Sequence, residues 1–195
     1  MKNIVLAIGR FQGITEAHAR LFDKVDKLSK EHECEALVYV STKDGDKKNP
    51  LKYERKVELI KRLIPYAKNY ISDDTSIKHI MDMAKKHSDK DATLHIVCGG
   101  DRYREYLYKF VKYNHTHYNY KYINVYCIGE EERSETSISA TKMRDYVLND
   151  DFEKFKKIVP KNTKDEDILI LYNELKQSLG SIHENTKSVN RRAKR

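Results

Sequence analysis

Short apolar runs, each followed by a stretch of helical periodicity, constrain this chain more than any other feature. The runs are NIVLAI at 3–8, ALVYVS at 36–41, TLHIVC at 93–98 and YINVYC at 122–127, with a weaker NYIS at 69–72. They are rich in Val, Ile and Tyr and lack strict alternation, the pattern of strands covered on both faces in a parallel sheet. Between them apolar residues recur at helical spacing. Ala17, Leu21, Val25 and Leu28 form one stripe, with Glu16, Arg20, Asp23 and Lys27 on the wet face. Val57, Ile60, Leu63 and Ile64 form the next, behind Pro50, which suits a first helical position. Segments 75–87 and 101–113 read the same way. Strand and helix alternate about five times, which predicts a three-layer α/β/α sandwich with about five parallel strands and right-handed crossovers. A helix-rich part follows, from Ala140 to about Leu179.

A chain of 195 residues suits one domain with a sizeable core. We expect that domain over 1–180, with an α/β core at 1–150, helices at 151–180 and a basic, disordered tail at 181–195. The formal net charge is +8, which favours an anionic partner such as nucleotide, nucleic acid or polyphosphate. Half of the excess lies in the last fifteen residues, where Lys187, Arg191, Arg192, Lys194 and Arg195 face Glu184 alone. The apolar runs are far short of a membrane span, and the first one opens the chain without a small-residue cleavage site, so a soluble cytoplasmic protein is expected. Cys34, Cys98 and Cys127 are far apart in sequence and read as reduced core residues, with neither a disulfide framework nor a zinc site.

Open α/β sheets bind ligands beyond the carboxyl ends of their strands, so the loops after Ile8, Ser41, Cys98 and Cys127 carry the functional reading. G-x-G-x-x-G is absent from the first of these loops, and no P-loop motif occurs anywhere, which disfavours dinucleotide oxidoreductases and P-loop enzymes. The first loop, GRFQGITEAH, instead crowds Gly9, Arg10, Phe11, Thr15 and His18 onto one strand-to-helix turn. A helix N-terminus attracts phosphate, and an imidazole there can donate to a phosphoryl oxygen without acting as a nucleophile. On these residues alone, a capping Thr15 with a surface His18 is an equal reading. Far along the chain, SISATKMR at 137–144 offers hydroxyls at the opening of a helix, with a forked cation at Arg144 one turn inside.

The first segment resembles the [HT]-x-G-H signature of the nucleotidyltransferase superfamily, with Thr15 at its first position and Ala17 where glycine stands. GRFQ resembles the form seen in nicotinamide-mononucleotide adenylyltransferases of archaeal and phage type, with Gly13 in place of a common proline. The second segment resembles I-S-S-T-x-x-R, matched at Ile138, Ser139, Thr141 and Arg144 and departing at Ala140. CGGD, with Gly100 and Asp101, resembles the family's G-x-D turn against ribose and base. Asn49, in NPL, and Arg55 resemble an acceptor-binding segment. Lys43, Lys47 and Lys48 read as solvated loop charges.

The resemblance implies a Rossmann-like fold and adenylyl transfer: His18, Arg144 and Thr15 catalytic, Gly9, Arg10, Phe11, Gly100, Asp101, Ile138, Ser139 and Thr141 on the nucleotide, and Arg55 and Asn49 on the acceptor. It also implies ATP, Mg²⁺ and a phosphorylated small-molecule acceptor, nicotinamide mononucleotide being favoured. The product would be NAD, in a homo-oligomeric protein, cytoplasmic and of phage style. Pantetheine phosphate, flavin mononucleotide and glycerol 3-phosphate, with ATP or CTP, remain open as substrates. So does an inactive nucleic-acid or virion-associated relative using the basic tail. His115 and His117 make a poor metal site, and His95 reads as a core histidine.

Overall fold

The computed structural model describes the backbone of residues 3–129 and 138–192, with side chains to residue 182. Ser137 and the five tail cations fall outside those side chains. Each apolar run becomes a strand: β1 (Asn3–Gly9), β2 (Glu35–Val40), β3 (Asp89–Gly99) and β4 (Tyr120–Ile128). All pair in parallel in the order β2-β1-β3-β4. The sheet therefore has four strands where five are expected. NYIS adds only one bridge, Ile71 to Val38, in which Val38 donates to the Tyr70 carbonyl at 2.7 Å and accepts from Ser72 N–H at 3.0 Å. One apolar residue flanked by polar ones has too little to bury for a full strand.

Alternate residues of the strands feed two cores. Val5, Ala7, Val38 and Val97 face one layer, and Ile4, Leu6, Tyr39, Leu94 and Ile96 face the other. The first layer holds α1 (Glu16–Glu31), α2 (Tyr53–Leu63) and the C-terminal helices α5 (Ala140–Leu148), α6 (Phe152–Lys156) and α7 (Asp165–Arg192). The second holds α3 (Ile80–Lys86) and α4 (Gly100–Tyr113). The predicted stripe of α1 is buried at Leu21, Val25 and Leu28. Pro50 lies outside α2, which is preceded by Lys52 rather than opened by the proline.

The C-terminal helices share a core with α1 and α2, because Phe155, Leu171, Leu175 and Leu179 belong to the same buried cluster. Composition predicts a tail without structure from residue 181, yet the backbone of α7 continues helically to Arg192. Lys, Arg and Glu there are adequate helix formers, and neither proline nor a glycine cap stops the helix. Among the described residues no helix is long and apolar enough to cross a membrane.

Candidate active site

In this strand order β1 and β3 are adjacent while their connections leave in opposite directions, which opens a crevice at their carboxyl ends. A cleft of about 760 Å³ occupies it, lined by the first loop, by the loop after β2, by Gly99, Gly100 and Asp101, and by Ile138, Ser139, Ala140, Thr141 and Arg144. Two segments 120 residues apart in the sequence thus face the same space. Gly13 joins them: its φ of +123° suits glycine, and a Cβ there would come within 3.0 Å of the Met143 sulfur and 3.8 Å of the Ala140 methyl. The absence of a side chain at Gly13 lets the first loop lie close under α5.

The first loop presents His18 in a defined protonation state. Its Nδ1 accepts from the Thr15 backbone N–H at 3.1 Å and lies 3.0 Å from the Thr15 hydroxyl. With Nδ1 an acceptor, the proton of the neutral ring sits on Nε2, which is left as a donor. The Phe11 ring packs against the imidazole at 4.9 Å between centroids, and burial lowers the His18 pKa to about 4. The side chain is half-buried, and one edge of the ring faces the cleft. His18 is neutral at physiological pH.

Phe11 and Thr15 support this arrangement rather than meeting solvent. Phe11 is buried at φ +49°, and its ring lies where a Cβ on Gly9 would sit, 2.5 Å from that position. Only glycine fits at residue 9. Thr15 is fully buried and spends its backbone and hydroxyl on the helix opening and on His18.

Arg144 is buried, donating to the Gln12 carbonyl at 3.1 Å and to the Thr141 hydroxyl at 3.2 Å. Its pKa is lowered by burial first and by the Arg10 charge second, so the two guanidiniums converge on one space. Among the described residues neither forms a salt bridge with a carboxylate. Ser139 caps α5 by accepting from Lys142 N–H at 3.2 Å, Ile138 packs against the core, and Thr141 is exposed to the cleft. On the opposite wall Asp101 follows the Gly99–Gly100 turn, with its Oδ1 3.0 Å from where a Gly99 Cβ would lie.

Two expected residues are not brought to the cleft. Arg55 pairs with Glu58 and, at 2.7 Å, with Glu174 of α7, so it ties α2 to the C-terminal helix. Asn49 is buried and donates to Asp46 at 2.9 and 3.1 Å, which shapes its own loop. Lys43 and Lys48, expected as solvated charges, do line the cleft.

Sequence reading missed Gln12 and Lys56. Gln12 is 2% exposed; its amide donates to the Lys43 carbonyl at 2.9 Å and the Leu51 carbonyl at 3.2 Å, and accepts from Leu51 N–H at 2.8 Å. Lys56 is fully buried and donates to the Ser41 and Lys43 carbonyls, with its pKa lowered to about 8 by burial. Together they hold the loop after β2 against the first loop, while Arg144 holds the first loop to α5. Only the GRFQ resemblance pointed at Gln12, and nothing in the sequence marked Lys56.

His115 and His117 are exposed on the turn after α4, and no group of three His, Cys, Asp or Glu residues able to hold a metal occurs among the described residues. His95 is buried, with Nδ1 3.1 Å from the Tyr126 hydroxyl and its ring stacked on His32 at 4.2 Å. Its Nε2 has no partner, so the core histidine is only half satisfied. None of Cys34, Cys98 and Cys127 forms a disulfide; Cys98 is a core residue as expected, whereas Cys34 and Cys127 are only half-buried.

A four-stranded parallel sheet with an imidazole donor and, among the described residues, two guanidiniums without a carboxylate partner at its switch point suits an α/β protein of the nucleotidyltransferase class. A family model described as cytidylyltransferase-like matches residues 6–146, and the chain belongs to that family. Its activity at this level is nucleotidyl transfer. A search of curated proteins finds no match.

Proposed function

We propose that this protein transfers AMP from ATP to nicotinamide mononucleotide, giving NAD and pyrophosphate. A phosphate oxygen of the acceptor attacks the α-phosphorus in line; the new P–O bond forms as the bond to the β-phosphate bridging oxygen breaks, and the electron pair leaves with pyrophosphate. The observation that carries the reading is the Nε2 donor of His18 held in the same cleft as Arg10 and Arg144. A neutral donor and fixed cations stabilise charge as it develops on the phosphates without any covalent enzyme intermediate. Thr15 positions His18, Ser139 sets the opening of α5, and the GRFQ and ATKMR forms support the choice of acceptor. Gly100 and Asp101 would meet the nucleotide's ribose and base.

Mg²⁺ enters with the triphosphate as part of the substrate. The cleft suits that arrangement, since it is rich in cations and its carboxylates are Asp101 and Glu105, the latter bonded to Arg102 and Lys109. A second reading, CTP as donor or another phosphorylated acceptor, is favoured by the family description itself.

The test is pyrophosphate release with ATP or CTP against nicotinamide mononucleotide, pantetheine phosphate, flavin mononucleotide and glycerol 3-phosphate. ATP with nicotinamide mononucleotide is expected to give the highest kcat/KM. His18→Ala is expected to lower kcat about 100-fold or more. Near-full turnover in that variant would refute the mechanism.

A further inference from the structure

Behind α5 lies a second cavity of about 590 Å³, separated from the catalytic cleft by a wall that both spaces share: Lys48, Thr141 and Arg144. Its volume is in the range of small-molecule sites. One side is apolar, built from Val147 and Leu148 at the end of α5 and from Leu179 and Gly180 on α7. Val147 and Leu179 are buried, whereas Leu148 is 62% exposed, although it sits at the rim of this cavity on a chain with 35% charged residues. The other side is cationic. Lys176 is neutralised by Asp150, and Lys47, Lys48 and Arg144 outnumber the carboxylates of Asp46 and Asp145 near them. No carboxylate forms a salt bridge with Lys47 or Lys48 among the described residues.

Leu148 continues the apolar wall of Val147 and Leu179, and that wall meets Lys47 and Lys48, which form no salt bridge among the described residues. One ligand chemistry suits both sides. We infer that this cavity is a second ligand compartment for a small molecule with an anionic group, phosphate or carboxylate, on an apolar body. The anion lies against Lys47 and Lys48, beside the shared wall, and the body covers Leu148 and Val147. The inference rests on the nucleotidyltransferase reading only in placing the triphosphate on the other side of Arg144. Such a ligand would be either an acceptor other than nicotinamide mononucleotide, reaching its reacting phosphate past Lys48, or an effector that biases Arg144 from behind.

The probe is 1-naphthyl phosphate, titrated calorimetrically into the full chain with inorganic phosphate in parallel. Saturable binding at least tenfold tighter than that of inorganic phosphate is expected. Leu148→Ser is expected to weaken the naphthyl ester about tenfold and leave inorganic phosphate unchanged, and Lys47→Glu to weaken both. Both residues are exposed, so neither change threatens folding. His18→Ala is expected to leave naphthyl phosphate binding intact while turnover falls, which separates failure of this inference from failure of the catalytic reading. Equal binding of ester and inorganic phosphate would overturn the inference, as would loss of ester binding in His18→Ala but not in Leu148→Ser. Adding the ester to ATP turnover then tells the two sources apart: consumption with pyrophosphate release marks an acceptor, and an altered rate without consumption marks an effector.

Discussion

At the scale of single residues, the role proposed for His18 depends on its being kept neutral. A histidine whose folded pKa lies near 4 carries the same charge throughout pH 5 to 8, so the kcat profile should show no ionisation near 6.5 from this group. Activity should fall only as pH approaches 4, where a second proton on the ring would expel the Thr15 N–H from Nδ1; a pH–rate series checks this. Ala17 lines the cleft at the position where the [HT]-x-G-H signature it resembles has glycine. Ala17→Gly is expected to lower KM for ATP a few fold by removing a methyl from the phosphate approach. It should also lower Tm, because glycine costs a helix about 1 kcal/mol. Which residues were legible at this scale follows from chemistry. Arg10, His18, Thr141 and Arg144 are types that handle phosphate, and they announced themselves. Gln12 and Lys56 are ordinary surface types, and their burial depends on carbonyls supplied from other segments of the chain, which no local pattern reveals.

At the scale of elements, the strand runs were legible because a strand covered on both faces needs continuous apolar residues. NYIS was overread because its single bridge needs none. The same limit applied to Arg55, whose partner Glu174 stands on a helix more than a hundred residues away. Arg55→Ala is expected to lower Tm by a few degrees and leave both substrate KM values unchanged, whereas Lys48→Ala should raise KM with little effect on Tm. Steady-state kinetics and a thermal melt of the two variants separate a fastening role from a substrate role. Docking of α5 depends on Gly13. Gly13→Ala is expected to cost about 1–2 kcal/mol in denaturant unfolding, from its positive φ and its contact with Met143, and to weaken ATP binding because Arg144 moves with α5. Adding Met143→Ala should relieve the contact but not the backbone strain.

At the scale of the whole molecule, the site exists only when the ends of the catalytic core meet. The Arg144 to Gln12 bond spans 132 residues, so under the proposed function nucleotide binding and global folding are linked. Acid should break both. The folded pKa values of His18 and His95 are lowered to about 4 from 6.5, chiefly by burial, so the unfolded chain binds more protons between those values. The stability these two histidines contribute is therefore full above pH 6.5 and is lost as pH falls toward 4, and His87, also lowered by burial, adds in the same direction. Denaturant unfolding across that range should show the decline, and His95→Gln should make it shallower.

The lone bridge at Ile71 has a further effect. It consumes the N–H and C=O of Val38 in the middle of β2's outer side, so a neighbouring chain cannot extend the sheet there in unbroken register. Among the described strands, the edge that stays open to growth is that of β4. With a single such edge, copies of this chain could join back to back but could not add on indefinitely.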